Sequence, residues 1–205
     1  MKALWFDGKR LILREMKIPV PEKDEALVRV HYAGICNTDL EIFKGYMNFT
    51  GIPGHEFVGT VVKGKTNWLG KREVERIKLS CGKCAYCRKG LKRHCPARTV
   101  LGIFKKNGAF AEYLTLPLDN LHLVPDSVSD LDAVFVEPVA AALRILEQVR
   151  IKKDQLVFLL GDGKLAQLIA RVLRFKTQNL LVIAKHSEKL ALLSKLGIKT
   201  ILADR

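Results

Sequence analysis

The first part of the chain, up to about residue 125, carries short apolar runs separated by turn residues. Segments 11–14, 26–30, 57–62 and 111–116 are rich in aliphatic and β-branched residues, which favours strands. Glycine and proline lie between these runs, as in Gly-Ile-Pro-Gly at 51–54. Many short strands with frequent turns predict a barrel or a sandwich.

From about residue 130 the apolar residues recur at helical spacing. Ser129 and Asp132 have the spacing of a capping box, and Pro138 fits the first turn of the helix that follows. Residues 156–160 are a continuous apolar run, which is typical of a parallel strand buried on both faces, and 180–184 form a second such run. This part is therefore predicted to alternate helices with buried parallel strands.

Two further helices and a third strand continue this pattern. A glycine turn precedes a helix with apolar residues over 165–173, and Ser187 is expected to cap a second helix that Gly197 ends. A third strand begins at 199–202. This order of strands and helices is that of the first half of a doubly wound dinucleotide-binding sheet. We therefore predict an α/β protein with a β-rich barrel followed by a partial doubly wound sheet.

The composition fits a globular protein with a packed core, since 48% of the residues are hydrophobic and 27% are charged. The net charge of +14 raises the question of an anionic partner. The basic residues are scattered, however, and their densest stretches, such as 88–93, are short. A solvated basic surface is favoured, and neither nucleic acid nor a membrane is expected as a partner.

The chain shows no targeting or membrane signal. No apolar run approaches the roughly 20 residues that span a bilayer. The N-terminus has an acid at Asp7 and lacks the apolar core of a signal peptide. We therefore expect a cytoplasmic location, where clustered cysteines bind metal more often than they form disulfides.

Four cysteines follow one another as Cys-x2-Cys-x2-Cys-x7-Cys. Zinc accepts four thiolates in a tetrahedron, and two-residue gaps let a tight loop direct successive sulfurs to one point. Four protein ligands leave no open position, so the predicted site is structural. An iron–sulfur cluster also uses four cysteines, and reduced cysteines without metal are the third interpretation. The four residues are Cys81, Cys84, Cys87 and Cys95.

Four other residues of zinc-binding type flank this loop along the chain. Cys36 follows an apolar strand, His55 and Glu56 lie between two glycines just before another strand, and Glu137 precedes a proline. Each of them, taken alone, is weak evidence for a ligand, because such residues more often have an ordinary structural role. Their order around the four-cysteine loop is what indicates a second, catalytic zinc site.

A glycine turn with the pattern Gly161-x-Gly163-x-x-Ala stands between an apolar run and a predicted helix. The first glycine permits the turn, and the second lets a pyrophosphate approach the backbone at the start of the helix. NAD enzymes usually end the second strand with an acid, but here that position is Ala184. The cationic residues that follow favour NADP(H) over NAD(H). The candidate cofactor residues are Gly161, Gly163, Lys164, Leu165 and Lys185.

Together, the Gly-His-Glu motif, the four-cysteine loop, the Glu-Pro motif and the glycine turn resemble the medium-chain zinc-dependent alcohol dehydrogenase family. The resemblance covers essentially the whole chain. It implies a GroES-like catalytic domain over 1–150 and the first half of a Rossmann NAD(P)-binding domain over 151–205. It also implies two zinc ions per chain, the catalytic one held by Cys36, His55 and Glu137, with Glu56 beside them and able to enter the ligand shell.

By this resemblance the chain is expected to transfer hydride between an alcohol and NAD(P). Zinc lowers the pKa of the alcohol, and the alkoxide passes hydride to the nicotinamide. Thr38 matches the hydroxyl that relays the proton, and Asp39 is expected to orient a neighbouring group. Glu41 stands where many relatives carry histidine and where glucose-dehydrogenase-like members tend to carry glutamate, which favours a polyol or sugar alcohol. The expected partner is a small-molecule alcohol or the corresponding aldehyde or ketone.

Two further features depart from the family pattern. Relatives continue well beyond this chain, so truncation is expected, and the interface through which relatives form homo-oligomers is expected to be missing. Residues 70–74 also depart from the usual Gly-Asp/Lys-Arg-Val stretch. One alternative is a non-catalytic, zinc-stabilised remnant or interaction module that binds zinc without NADP(H). Another is a basic zinc module whose nucleic-acid binding would be salt-sensitive.

Overall fold

The computed structural model describes residues 1–203, which form two compact units that divide between Glu137 and Pro138. The first unit is mainly β-structure. Its strands are β1 (Lys2–Phe6), β2 (Leu11–Glu15), β3 (Glu25–Gly34), β4 (Glu56–Lys63), β5 (Arg72–Glu75), β6 (Lys78–Leu79), β7 (Thr99–Leu101), β8 (Lys105–Lys106), β9 (Tyr113–Pro117) and β10 (Leu121–Leu123). Its helices are α1 (Asn37–Phe43), α2 (Ala85–Arg88) and α3 (Asp130–Ala133), with short 3-10 turns at Tyr46–Asn48, Thr66–Trp68, Lys92–His94 and Leu118–Asn120.

A five-stranded antiparallel sheet, in the order β10-β5-β4-β3-β9, organises this unit. Val28 on β3 pairs with Val61 on β4 and with Leu114 on β9, and all three are buried in one core cluster. β1 and β2 form a hairpin, and β6, β7 and β8 form a small separate sheet. The prediction that the first part of the chain is β-rich is confirmed.

The predicted strands are found with small shifts in their ends. The run at 111–116 becomes a strand only from Tyr113, because Ala111 pairs instead with Ala3 of β1. The capping prediction is confirmed, since the Ser129 hydroxyl accepts a hydrogen bond from the Asp132 N–H at 3.1 Å. Arg72 donates to the Asp130 carboxylate at 2.7 Å, which fastens α3 to the sheet.

The second unit contains a parallel sheet in the order β11-β12-β13 and the helices between its strands. Its core joins the two intervening helices to β12, through residues such as Leu173, Leu193 and Val182. This is the start of a Rossmann fold, as predicted. The elements are α4 (Val136–Gln148), which begins at the end of the first unit, β11 (Val157–Leu160), α5 (Lys164–Arg174), β12 (Leu180–Ala184), α6 (Ser187–Ser194) and β13 (Lys199–Leu202).

The prediction that β11 is buried on both faces is wrong. Val157 and Leu159 pack on the core, but Phe158 is 57% exposed and Leu160 is 75% exposed. The reason is that α5 and α6 both pack into the core on one side of the sheet. The other side of β11 is left open among the residues that the structure describes.

The cap of α6 also differs from the prediction. His186 occupies the N-cap position, and Ser187 is the first helical residue. Neither side chain caps the helix, because the His186 ring turns toward the glycine turn instead. Gly197 does follow the helix end with a φ of 76°, a conformation that glycine adopts without strain.

Candidate metal centres and cofactor turn

The four-cysteine loop brings its sulfurs together with the geometry of a tetrahedral metal site. The Sγ–Sγ separations are 3.5 Å for Cys81–Cys95 and Cys84–Cys87, 3.9 Å for Cys84–Cys95 and 4.0 Å for Cys81–Cys87. Zinc–sulfur bonds of about 2.3 Å in a tetrahedron place sulfurs about 3.8 Å apart. The four side chains therefore fit one zinc ion without rearrangement.

The protonation of these thiols also fits a cation site. Backbone N–H groups of Lys83 and Cys84 lower the pKa of Cys81 to about 6. Burial, followed by hydrogen bonds from neighbouring thiols, raises the pKa of Cys87 to about 11. Crowded thiols cannot all ionise by themselves, and a dication at their centre removes this conflict. Gly82, with a φ of 74°, allows the tight turn between the first two ligands.

The second centre is built where β3 ends and β4 begins, two strands that pair in the sheet. Cys36 is the N-cap of α1, and its backbone N–H donates to the Asp39 carboxylate at 2.9 Å. The other oxygen of Asp39 accepts from the backbone N–H of Gly54 at 3.3 Å. One fully buried carboxylate therefore joins the segment that carries Cys36 to the segment that carries His55.

His55 is buried between an acid and a thiol. Its Nδ1 lies 3.4 Å from Asp39 Oδ1, and its side chain is only 3% exposed. Burial lowers the pKa of His55, but Asp39 and Cys36 outweigh it and raise the pKa to about 10. The contact with His55 in turn lowers the pKa of the Cys36 thiol, and burial opposes that effect. Zinc takes a thiolate and a neutral imidazole as ligands, so its binding here would displace the proton that this pair holds.

The structure brings three of the four predicted ligands of this centre together. Donor atoms of Cys36, His55 and Glu56 all lie within 4.8 Å of one another. Glu137 is not a member of that group. Burial raises the pKa of Glu137. The charge of His55 lowers that pKa and the charge of Glu56 raises it, so Glu137 lies close enough to interact electrostatically with both. Thr38 lies beside the centre and accepts from the Cys36 thiol at 3.6 Å.

Sequence reasoning missed two glutamates near this centre. Glu73 and Glu75 alternate along β5, and they are 0% and 5% exposed. None of their four carboxylate oxygens has a hydrogen-bond partner. Burial raises the pKa of Glu73 to about 8, and burial with the charges of Glu73 and Glu137 raises that of Glu75. The signal in the sequence is a pair of acids at alternate positions of a strand, the first of them within the stretch that departs from the family pattern.

The glycine turn has the backbone that its motif predicts. Gly161 has a φ of 111°, which favours glycine, and its N–H donates to the Ile183 carbonyl at 2.9 Å. Gly163 is the N-cap of α5. A Cβ atom added at Gly161 or Gly163 would meet nothing within 4 Å, so the backbone stands open to a ligand. This arrangement fits a pyrophosphate at the start of α5. Lys164 and Leu165 form the first turn of that helix.

The middle residue of the turn reaches across to β12. Asp162 accepts from the backbone N–H of His186 at 3.0 Å, and both of its oxygens lie 3.0 Å from the Nδ1 atom of the same residue. Lys185, at the end of β12, is exposed. No acid stands at Ala184, as the sequence shows, but a carboxylate from the neighbouring strand end lies close by.

Comparison with known proteins decides the family. The model of the alcohol dehydrogenase GroES-like domain matches residues 22–126, which is more than half of the chain. The chain belongs to the medium-chain zinc-dependent alcohol dehydrogenase family. The starvation-sensing protein RspB of Escherichia coli K12 is 30% identical over 200 residues, covering 93% of this chain and 59% of that protein. The sorbitol dehydrogenase of Halalkalibacterium halodurans is 32% identical, covering 78% of this chain and 48% of that enzyme.

Solved structures of the family have the same fold as this chain. The rspB alcohol dehydrogenase of Escherichia coli CFT073, complexed with NADH, has a TM-score of 0.93 at 29% identity. The match covers all of this chain and 63% of that one. A Sinorhizobium meliloti 1021 protein bound to NADP has a TM-score of 0.90 at 28% identity, with 98% of this chain and 61% of that one covered. The chain thus spans about half to three fifths of the length of these relatives.

Within residues 1–203, no helix is long and apolar enough to cross a bilayer.

Proposed function

We propose that this chain carries the zinc centres and the first half of the cofactor site of an alcohol or polyol dehydrogenase. The reaction is hydride transfer between a secondary or sugar-type alcohol and NAD(P). The observation that carries the proposal is the convergence of Cys36, His55 and Glu56 within 4.8 Å, in a chain of this family. The relatives include the sorbitol dehydrogenase named above, which supports a polyol as the substrate class.

In this proposal Cys36, His55 and Glu137 hold the catalytic zinc, and Glu56 stands beside it. When bound, the zinc and the nicotinamide supply Lewis-acid and hydride chemistry to the substrate oxygen and carbon. Asp39 keeps the His55 ring and the Cys36 loop in place. The Thr38 hydroxyl, next to the thiol, takes the departing alcohol proton toward solvent.

The cofactor part of the proposal assigns residues 151–205 to NAD(P) binding and residues 1–150 to catalysis. Gly161, Gly163 and the first turn of α5, with Lys164 and Leu165, receive the pyrophosphate. Lys185 faces the ribose, where a cation and the lack of an acid at Ala184 favour NADP(H) over NAD(H). The structural zinc at the four cysteines gives two zinc ions per chain, and we propose a cytoplasmic location for the protein.

One set of measurements on the purified full chain tests this function. Metal analysis should find two zinc ions, NADPH titration should show saturable binding, and oxidation of sorbitol should be lost in the His55→Ala variant. Cys84→Ser is the matched control, because it should remove one zinc ion without touching the catalytic centre. Two zinc ions without cofactor binding would instead support a non-catalytic zinc-stabilised module. Fewer than one zinc ion per chain would contradict both functions.

A further inference from the structure

The pair Asp162 and His186 is a feature of the cofactor turn that the proposed function does not use. Asp162 is only 7% exposed, although it lies at the tip of a turn. Its oxygens are engaged by the backbone N–H and by Nδ1 of His186, all at 3.0 Å. Lys189 Nζ approaches the same carboxylate at 3.8 Å. This carboxylate therefore links the glycine turn to the residues that begin α6.

The link lies where a dinucleotide would place its ribose. Asp162 follows the carboxyl end of β11, and His186 follows the carboxyl end of β12, the neighbouring parallel strand. In open α/β sheets the ligand lies outside the carboxyl ends of the strands, with the adenosine ribose near the end of the second strand. The open backbone at Gly161 and Gly163 adjoins the same edge.

The Asp162 carboxylate is not free to act as the ribose-binding acid of an NAD enzyme. Such an acid must present oxygens to two ribose hydroxyls, whereas Asp162 is buried and its oxygens already face the His186 N–H and ring. Burial raises its pKa, but the contacts from His186 and then Lys189 outweigh this and lower the pKa. Asp162 is therefore an ionised anchor for the histidine ring.

The side chains that keep exposed surface around this anchor all carry nitrogen. Lys185 is exposed, and the side chains of His186 and Lys189 are 53% and 43% exposed. Because Nδ1 is held by Asp162, the ring directs Nε2 away from the carboxylate as its remaining hydrogen-bonding atom. His186 and Lys189 both contact the Asp162 carboxylate, and Lys185 precedes them in the chain, directly after β12. Nitrogen-bearing side chains of this kind are the chemistry that recognises a phosphate dianion.

We propose that Asp162 is a positioning residue for a 2′-phosphate subsite, in which it holds the His186 ring beside Lys185 and Lys189. The subsite selects NADP(H) over NAD(H). This inference rests on the proposed cofactor site, and it adds the group that fixes the cations in place. It also explains the acidic residue between the two glycines, which a pyrophosphate turn does not need.

Two adenosine nucleotides that differ only in the 2′-phosphate test the proposal on the full chain. Calorimetric titration with adenosine 2′,5′-bisphosphate and with 5′-AMP gives an affinity ratio for the phosphate. We expect the bisphosphate to bind about tenfold tighter or more, as for a charge-assisted contact. In Asp162→Ala this ratio should fall about tenfold, with Asp162→Asn intermediate because an amide oxygen still accepts one hydrogen bond.

The sign of the effect separates positioning from simple charge. Removing an acid beside a phosphate should strengthen phosphate binding, and the exposed neighbour Glu188, changed to Gln, shows the size of that effect. A ratio that is unchanged or larger in Asp162→Ala would overturn the proposal. His186→Gln changes an exposed ring without threatening the fold, and it should lower the ratio as Asp162→Ala does; an unchanged ratio here would also overturn it.

Failure of the proposed function gives a different result. If neither nucleotide binds the wild-type chain, the cofactor site itself is absent, and the subsite with it. If 5′-AMP binds and the 2′-phosphate adds nothing, the cofactor site stands and the subsite is refuted. Circular dichroism and thermal melting of each variant confirm that it is folded before its ratio is used.

Discussion

Single residues decide the geometry of the candidate catalytic centre, and Asp39 is the clearest case. It accepts hydrogen bonds from the N–H groups of Cys36 and Gly54 and lies 3.4 Å from the His55 ring. The three partners belong to two segments that are far apart along the chain. A buried acid with three such contacts orients the ligands before any metal binds.

Asp39→Asn should therefore weaken metal binding at the catalytic centre by about 10- to 100-fold, the usual effect of losing an orienting acid. The amide keeps the size of the side chain but loses the charge that faces His55. Cobalt titration followed by absorbance reports the centre, and the four-cysteine site should keep its metal. Asp126→Asn, at an exposed position, is the control. Equal cobalt affinity in Asp39→Asn and wild type would contradict this role.

Glu73 differs from Asp39, because it is buried and neither of its carboxylate oxygens has a hydrogen-bond partner. Its pKa is about 8 in the folded chain against an ordinary 4.5. Between these two pKa values the Glu73 carboxyl group keeps its proton in the folded state and loses it in the unfolded state. Its contribution to the free energy of unfolding is therefore fully present below pH 4.5 and is lost as the pH rises toward 8. An ionised Glu73 carboxylate would have no hydrogen bond in this core to offset the loss of its hydration.

Glu73→Gln should remove that part of the pH dependence. Between about pH 6 and pH 8 the wild-type free energy of unfolding should fall by about 2 kcal/mol more than that of the variant, at 1.36 kcal/mol per pKa unit. Urea unfolding at both pH values measures the difference. Glu188→Gln, which changes an exposed acid, should follow the wild type. A variant with the full wild-type pH dependence would show that Glu73 is not the group responsible.

At the scale of elements, a contact between glycines sets the path of the loop before β4. The Gly54 carbonyl lies so close to Gly108 and Gly102 that a Cβ atom at either would come within 2.1 or 2.2 Å of it. Gly54 itself has a φ of 94°, and its carbonyl accepts from Ala109 at 2.9 Å. The loop that delivers His55 to the metal centre therefore depends on small residues in a distant turn.

Gly108→Ala should displace this loop, because the added methyl group meets backbone atoms that cannot move away cheaply. We expect a destabilisation of about 1–3 kcal/mol and loss of cobalt binding at the catalytic centre, with the four-cysteine site loaded. Gly163→Ala is the matched control, because its Cβ meets nothing within 4 Å. Unchanged stability and cobalt binding in Gly108→Ala would contradict the contact.

β11 shows how one element depends on its neighbours. Its residues are apolar on both faces, yet Val157 and Leu159 pack on the core that β12 shares with α5 and α6, while Phe158 and Leu160 are exposed. Parallel strands are normally covered on both faces. The strand sequence predicts burial of both faces. The packing of the helices determines which face is covered in the described residues.

At the scale of the whole molecule, the chain is two units with separate cores. The predicted metal sites lie in the first unit, which ends at Glu137. The second unit is held by aliphatic packing of α5 and α6 on β12. Metal binding is therefore expected to stabilise the first unit.

Chelation should accordingly affect the two units differently. Removing zinc with a strong chelator should speed amide exchange in residues 78–101, around the four cysteines, and leave exchange in β12 and α5 unchanged. Hydrogen exchange read by mass spectrometry measures both regions in one sample. Cys84→Ser without chelator should reproduce the effect in the first region. Faster exchange in β12 on chelation would show that the units are not independent.

Local spacing was enough to predict the features that short stretches of chain determine. The four-cysteine site, the turn at Gly161 and the order of strands and helices after residue 130 depend on residues close in sequence. Two-residue gaps, a positive φ and helical spacing each limit the backbone directly. For that reason the fold class and the structural metal site could be predicted before the structure was known.

Tertiary structure alone decided what depends on residues distant in sequence. The pairing of β3 with β4 brings Cys36 beside His55, the glycine contact places the loop, and the order of the parallel strands joins Asp162 to His186. Burial of Glu73 and exposure of Phe158 are likewise results of packing, which no local pattern encodes. Local sequence thus specifies which chemical groups are present and how each short segment folds, whereas long-range packing specifies which of those groups meet.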